Sequence, residues 1–161
     1  MYQEELLLSY LVQRGHLKDT VAQQLLQQAH TLEKRAEDII YEKGLVDENT
    51  LAQIKAEIFK LPLKTFQKKE VIPRQILHLI PEDTARHYKF IAFNKENNVL
   101  DIGMVHPDDV NAQQAVRFIT KRLHLNFRVF IITPSGLKFA LEQYQTFIAV
   151  SYTHLTLPTK A

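Results

Sequence analysis

A near-repeat in the first third of the chain constrains its fold more than any other feature. Residues 11–17 (LVQRGHL) are matched by residues 40–46 (IYEKGLV), which places Gly15 and Gly44 29 residues apart. In each copy the apolar residues before the glycine recur at helical spacing. The glycine can then take the left-handed conformation that commonly ends a helix. The sequence therefore predicts two helical hairpins in tandem, each of which must bury its apolar face against a neighbour.

The boundaries of these four helices follow from glycine, proline and capping residues. We expect the first helix over about residues 3–14 and the third over about residues 32–43. The second should begin at Asp19 or Thr20, either of which can cap it, and Asp47 should cap the fourth. Pro62 then disfavours helix in the residue before it, so the fourth helix ends there.

The second half of the chain has a different pattern, typical of a mixed structure. Two apolar runs, 90–93 and 99–105, flank a turn-rich segment and predict a β-hairpin. A helix beginning near Pro107 and a third strand over 127–132 follow. The predicted fold is α+β, with tandem helical hairpins followed by a small three-stranded sheet covered by helices on one face. The predicted divisions are 1–64 for the hairpins, 65–71 for a charged connector and 72–148 for the α+β subdomain.

The last residues, 149–161, do not continue the preceding helical pattern. The segment VSYTHLTLPT, over 150–159, corresponds to the translation of a sequencing adapter of the transposase-end type. We therefore expect a non-native tail and a natural reading frame that continues differently after about residue 149. The alternative is a short natural C-terminal extension.

Composition excludes several classes of function. The chain has no cysteine, so it has neither a disulfide framework nor a thiolate metal site. A net charge of +2, with scattered basic residues, argues against nucleic-acid binding. No apolar run approaches the roughly 20 residues that span a bilayer, so direct membrane insertion is not expected.

The sequence also lacks the motifs of an enzyme active site. Its four glycines do not form a phosphate-binding loop, and its seven histidines are dispersed, so we expect no metal site. Asp108 and Asp109 follow a proline at a predicted helix start, where carboxylates cap free amides. We therefore expect no catalytic residues in this chain.

Several short motifs, in their order, resemble the N-terminal domain of type II secretion and type IV pilus assembly ATPases. They are KLPL at 60–63, LIPE at 79–82, ARHY at 85–88 and, between 101 and 109, DIGM followed by HPDD. The resemblance covers about residues 4–147. It implies a cytoplasmic regulatory module, peripheral at the inner membrane, that docks a hexameric motor on an inner-membrane platform protein. ATP and magnesium would belong to a P-loop core that this sequence does not contain.

The same resemblance leaves a second function open, because some members of the family bind cyclic di-GMP. They do so through two 24-residue motifs separated by five residues, a repeat distance of 29. Gly15 and Gly44 fill the central glycine positions, and Arg35 fills the leading arginine of the second motif. Leu11 and Ile40 keep hydrophobic positions. Arginine can pair with phosphate or stack on a base, and glycine allows a close approach of the backbone.

The match to the ligand-binding motifs is incomplete. The residues that depart from the motif are Leu6, Leu8, Ala29, Glu37 and Ile58. Docking is therefore the first expectation, and it predicts an exposed apolar or mixed groove. The alternative, a cyclic di-GMP sensor, predicts a concave site near Arg35 and the two glycines. An α+β adaptor unrelated to motors is a third reading.

Overall fold

The structure is a computed structural model that describes residues 2–145, with side chains from residue 4 onward. The chain divides into two compact units, Met1–Leu61 and Pro62–Ala161. The segment predicted to be a non-native tail, 149–161, lies outside the described residues.

The first unit consists of four helices arranged as two hairpins. Their bounds are Tyr2–Gln13 (α1), Asp19–Leu32 (α2), Ala36–Lys43 (α3) and Glu48–Phe59 (α4). Contacts join α1 to α2 and α4, and α2 to α3. The buried core takes apolar residues from all four helices, namely Leu7, Leu8, Leu11, Ala22, Leu25, Ala29, Ala36, Ile39, Ile40, Leu51 and Ile54. Amphipathic helices of this length are stabilised mainly by such burial.

The junction between the hairpins corrects the predicted third helix, which was expected to begin near residue 32. In the structure α2 continues to Leu32 and ends at Glu33, whose φ of 54° is left-handed. Helix α3 begins only at Ala36, whose backbone N–H donates to the Glu4 carboxylate at 3.3 Å. A residue distant in sequence therefore supplies the cap, and this fixes the start of α3.

Of the caps predicted for α2 and α4, one is confirmed and one is wrong. Asp47 caps α4 as expected, accepting a hydrogen bond from the Thr50 N–H at 3.3 Å. The N-cap of α2 is instead Lys18, so the prediction of an Asp19 or Thr20 cap is wrong. Asp19 is the first helical residue, where its negative charge interacts favourably with the positive end of the helix dipole.

The second unit is built around a three-stranded mixed sheet, which confirms the α+β prediction. Its elements are Arg74–Leu77 (α5), Glu82–Tyr88 (α6), Phe90–Glu96 (β1), Val99–Met104 (β2), Val110–Arg122 (α7), Asn126–Ile131 (β3) and a last helix over 134–145 (α8). The strand order is β1-β2-β3, with β1 antiparallel and β3 parallel to β2. Asp109 caps α7, accepting from two backbone N–H groups.

Strand β1 is longer than its apolar run suggests. It continues through three polar residues to Glu96, with an irregularity between Ala92 and Asn94 that shifts the register. The hairpin turn therefore shrinks to residues 97 and 98. Backbone pairing holds this end of the strand, and such pairing does not depend on apolar side chains.

Three contacts fix the packing of the second unit. The Asp101 carboxylate is buried and accepts two hydrogen bonds from Arg128, at 2.8 and 3.0 Å. Gly103 lies against Ile132 so closely that an added Cβ would be 2.7 Å from the Ile132 Cγ2. The buried Tyr144 hydroxyl donates to backbone carbonyls at 2.7 and 3.0 Å.

Backbone pairing also ties the start of this unit to its sheet. Leu63 forms a parallel bridge with Ile131 at the outer edge of β3. The Lys64 N–H donates to the Ile131 carbonyl at 2.9 Å, and the Ile131 N–H donates to the Pro62 carbonyl at 2.8 Å. The chain is therefore held against the sheet as soon as it leaves the first unit.

Candidate functional site in the tandem hairpins

Two of the five sequence-predicted site residues lie inside the core of the first unit. Leu11 and Ile40 both have 0% of their surface exposed and belong to the same apolar cluster. They occupy equivalent positions in the two hairpins, each four residues before the glycine. In this conformation neither side chain can touch a ligand at the surface.

The two glycines occupy left-handed backbone positions, where glycine is favoured. Gly15 has a φ of 78° and Gly44 a φ of 62°, both in the left-handed region that L side chains rarely adopt. No described atom lies within 4 Å of a Cβ built at either position. The space beside each glycine is therefore open, and the backbone conformation favours glycine without requiring it, since Lys60 and Lys89 adopt φ values of 56° and 60°.

Arg35 stands immediately before α3, at its N-cap position. It is half-buried, and its backbone is extended, with a φ of −74° and a ψ of 139°. Its carbonyl accepts hydrogen bonds from the Asp38 and Ile39 N–H groups, which starts the helix. The predicted third helix, over about residues 32–43, contained Arg35; in the structure Arg35 lies outside α3, immediately before its first residue.

A concave surface lies between the helices of the first hairpin, and we call it the α1–α2 groove. Its volume is about 340 Å³. The residues that line it are Glu5, Leu8, Ser9, Val12, Gln13, Asp19, Ala22, Gln23 and Leu26. The apolar residues among them are buried or half-buried, whereas Glu5 and Asp19 are exposed. The groove is therefore mixed, with an apolar floor and two carboxylates at its rim.

A wider and more polar surface, the α2–α3 groove, lies between the hairpins. Its volume is about 690 Å³. It is lined by Gln24, Gln27, Gln28, Thr31, Leu32, Ile39, Glu42 and Lys43. The Lys43 ammonium donates to the Gln28 side chain at 3.1 Å, and Glu42 pairs with Lys34 at 3.2 Å. None of the five predicted residues is among the described residues that line either groove.

The repeat relates the floor of the α1–α2 groove to a polar network in the second hairpin. A shift of 29 residues takes Leu8, Val12 and Leu26 to Glu37, Tyr41 and Lys55. The Lys55 ammonium lies 2.6 Å from a Glu37 oxygen, and both side chains are buried. The Tyr41 hydroxyl donates to the same oxygen at 3.1 Å. The hairpins therefore share a fold but differ in what fills the space between their helices.

Burial dominates the electrostatics of this network. It raises the pKa of Glu37 above its usual range, and the opposing attraction of Lys55 and the hydrogen bond from Tyr41 do not fully offset it. Burial, followed by the nearby Glu37 charge, also raises the pKa of Tyr41. The phenol therefore stays protonated and acts as a hydrogen-bond donor.

Two contacts between the hairpins are formed by residues at equivalent positions of the repeat. The Arg14 guanidinium makes two hydrogen bonds to the Glu57 carboxylate, one of them at 3.0 Å. The equivalent residues 29 positions away are Lys43 and Gln28, whose side chains are joined as described above. The hydrogen bonds from Arg14 lower the pKa of Glu57. The two interhairpin junctions are therefore related by approximate internal symmetry.

Neither a metal centre nor a membrane span is found among the described residues. Within 2–145, no three histidine or acidic side chains are grouped so that they could hold a metal ion. None of the described helices has the length and apolar character needed to cross a bilayer.

Sequence reasoning missed the Glu37–Lys55 pair, although the signal was available. By motif alone, Glu37 is only a departure from a ligand-binding pattern. The repeat aligns it with Leu8, a core residue, and aligns Lys55 with Leu26. A carboxylate and an ammonium at two core-facing positions predict a buried pair, because neither is buried without a partner.

Comparison with known proteins identifies the fold. A structure of MshE with cdg has a TM-score of 0.71 and 22% identity, covering 86% of this chain and 97% of that chain. The N-terminal domain of XpsE has a TM-score of 0.68 and 22% identity, covering 85% and 92%. No curated protein matches the chain. The MshEN domain family matches residues 59–148, more than half of the chain. The resemblance read from the sequence is therefore confirmed, and the chain belongs to the MshEN domain family.

Proposed function

We propose that this chain is a docking domain of a type II secretion or type IV pilus assembly ATPase. In this proposal it links a hexameric motor to an inner-membrane platform protein, and the whole assembly lies at the cytoplasmic side of that membrane. The chain itself performs no catalysis, and ATP and magnesium bind in another part of the parent protein. The observation that supports docking most directly is the α1–α2 groove, which has the mixed character that a protein partner requires.

The charges around both grooves favour a protein over cyclic di-GMP as the occupant of either groove. Cyclic di-GMP carries two phosphates, and the α1–α2 groove presents Glu5 and Asp19 at its rim. The α2–α3 groove contains Glu42, and its Lys43 already donates to a glutamine side chain. A dianionic ligand in either groove would face carboxylates, which oppose its binding.

A cyclic di-GMP sensor is the second candidate, and one observation favours it. The fold is similar over most of its length to that of MshE, which was solved with cdg. The 29-residue spacing of Gly15 and Gly44 and the presence of Arg35 agree with this reading. Binding would require the buried Leu11 and Ile40 to become accessible.

The docking proposal is tested by binding of the purified chain to the cytoplasmic domain of a platform protein from the same machine. We expect saturable binding by biolayer interferometry, unaffected by Arg35→Ala, because Arg35 lines neither groove. The proposal fails if no platform domain of either type of machine binds.

The sensor proposal is tested separately by calorimetric titration with cyclic di-GMP, again with Arg35→Ala as the matched variant. Saturable heat that the substitution weakens would establish sensing. An absence of heat, together with an absence of thermal stabilisation, would exclude it.

A further inference from the structure

We infer that the α1–α2 groove is the part of the domain that receives its partner, and that it takes an aromatic side chain flanked by a basic residue. This inference rests on the proposed docking function and specifies the surface and the chemistry of the contact. The internal repeat provides a second version of the same groove, in which larger side chains occupy the space.

The repeat indicates the size and nature of the missing group. In the second hairpin, Tyr41 stands where the first has Val12, and Leu51 stands where it has Ala22. The ring of Tyr41 and the isobutyl group of Leu51 are larger than the side chains they replace. Interiors are packed at nearly uniform density, so the smaller residues account for the hollow of about 340 Å³. An aromatic ring supplied by a partner would fill the groove of the first hairpin as Tyr41 fills the equivalent space in the second.

The rim of the groove determines the charge of the partner. Glu5 and Asp19 are both exposed and both line the groove. Asp19 accepts a hydrogen bond from Gln23, which also lines it. No arginine or lysine is among the described residues of this lining. A cation beside the aromatic ring would therefore be attracted, whereas an anion would be repelled.

A protein segment fits these features better than a lipid surface or a nucleic acid. Both of those present phosphates, which the two carboxylates repel. The groove also lies between two helices, so a side chain inserted from a partner would contact both of them. Buried aromatic anchors beside arginine are typical of the energetic centre of protein interfaces.

The first experiment measures binding of small probes to the chain by NMR, using methyl signals of Leu8, Val12 and Leu26. The probe is N-acetyl-Arg-Phe-Arg-amide, titrated to about 10 mM because a ligand of this size binds weakly. The controls are the peptides with alanine in place of phenylalanine and with glutamate in place of both arginines. We expect saturable shifts of the three groove residues with the first peptide and at least fivefold weaker binding of both controls.

Two variants copied from the second hairpin then test the site. Val12→Tyr introduces the Tyr41 ring and should fill the groove, with loss of peptide binding. Glu5→Lys introduces the residue at the equivalent position 34 and should weaken the basic peptide at least threefold while improving the acidic one. Gln27→Ala, which lines only the α2–α3 groove, is the matched control and should change nothing.

Three outcomes of the peptide titrations would overturn the inference. Equal binding of all three peptides, shifts confined to other residues or an absence of shifts at the highest concentration would overturn it. Glu5→Lys is a surface change, so it remains informative if Val12→Tyr does not fold.

The same variants are measured against the platform domain. If wild-type chain and Val12→Tyr bind the platform domain equally, docking stands and the groove assignment fails. If the platform domain does not bind at all, the docking proposal fails and the peptide result alone decides the groove.

Discussion

The buried Glu37–Lys55 pair can be replaced by the residues that its own repeat uses in the first hairpin. The double variant Glu37→Leu with Lys55→Leu copies Leu8 and Leu26 into the second hairpin. Because both charged groups are buried and joined at 2.6 Å, each single substitution leaves one charge without its main partner. Each single variant should therefore lose about 3–5 kcal/mol of stability.

The double variant should behave very differently from its parts. Removing both charges also removes the desolvation cost that raises the pKa of Glu37. Replacement of buried ion pairs by apolar residues of similar volume is often neutral or stabilising, by about 1–4 kcal/mol. We therefore expect the double variant to be at least as stable as the wild type even though the Tyr41 hydroxyl loses its acceptor, with a coupling of several kcal/mol between the two sites.

The pH dependence gives a second readout with a definite sign. A carboxyl whose pKa is raised by folding favours the folded state while it is protonated, at pH below its unfolded value of 4.5. That contribution is lost as the pH rises through the raised pKa. The advantage of the double variant over the wild type should therefore grow with pH across this window.

The assay is native-state amide hydrogen exchange at Ile40 and Leu51, which lie in the helices that carry the pair. The exchange at Ile102, in strand β2 of the second unit, is the internal control, because Leu11 shares its core with Ile40 and Leu51. Tyr41→Phe removes one hydrogen bond to Glu37 and should cost about 1 kcal/mol. A double variant less stable than the wild type by more than about 2 kcal/mol would refute the reasoning, because the pair would then be a net source of stability.

Three further predictions concern local packing and are measured by urea unfolding. Gly44→Ala should cost about 1 kcal/mol, because an L side chain disfavours its φ of 62°, and Gly44→Asn should cost less; equal losses would contradict this. Gly103→Ala should cost about 1–3 kcal/mol by overpacking against Ile132, and Ile132→Ala in the same chain should make the combined loss smaller than the sum. Tyr144→Phe should cost about 1–2 kcal/mol, because the carbonyls of Leu77 and Ile80 lose the hydrogen bonds from the buried hydroxyl; an unchanged midpoint would contradict this.

The parts of the fold that depend on local patterns were predictable from the sequence. The glycine stops and the Asp47 and Asp109 caps depend on residues within a turn of each other, and the structure has all of them. The start of α3 could not be predicted in this way. It depends on Glu4, which lies 32 residues earlier and meets Ala36 only after the hairpins pack.

The candidate site was harder to predict from the sequence. A residue can match a ligand-binding motif because it contacts ligand or because the core needs its side chain. Leu11 and Ile40 match the ligand motif, yet both are fully buried and are needed by the core. The α1–α2 groove is lined by two small side chains, Val12 and Ala22, at positions where the second hairpin has Tyr41 and Leu51. No sequence motif indicates a groove of this kind. Only a comparison of the two repeats shows that the residues at these positions are smaller in the first hairpin.

The short bridge between Leu63 and Ile131 has a mechanical consequence for a domain proposed to connect a motor to a fixed platform. A pull transmitted along the chain first meets the two hydrogen bonds that hold Pro62 and Lys64 to Ile131. Beyond them, the Phe66 ring packs edge-on against Phe93, and the Glu70 carbonyl accepts a hydrogen bond from Gln143. The segment before the buried Ile72 is therefore held by several contacts in series. Under load these contacts would break one after another from the bridge onward, so the attachment would yield in steps.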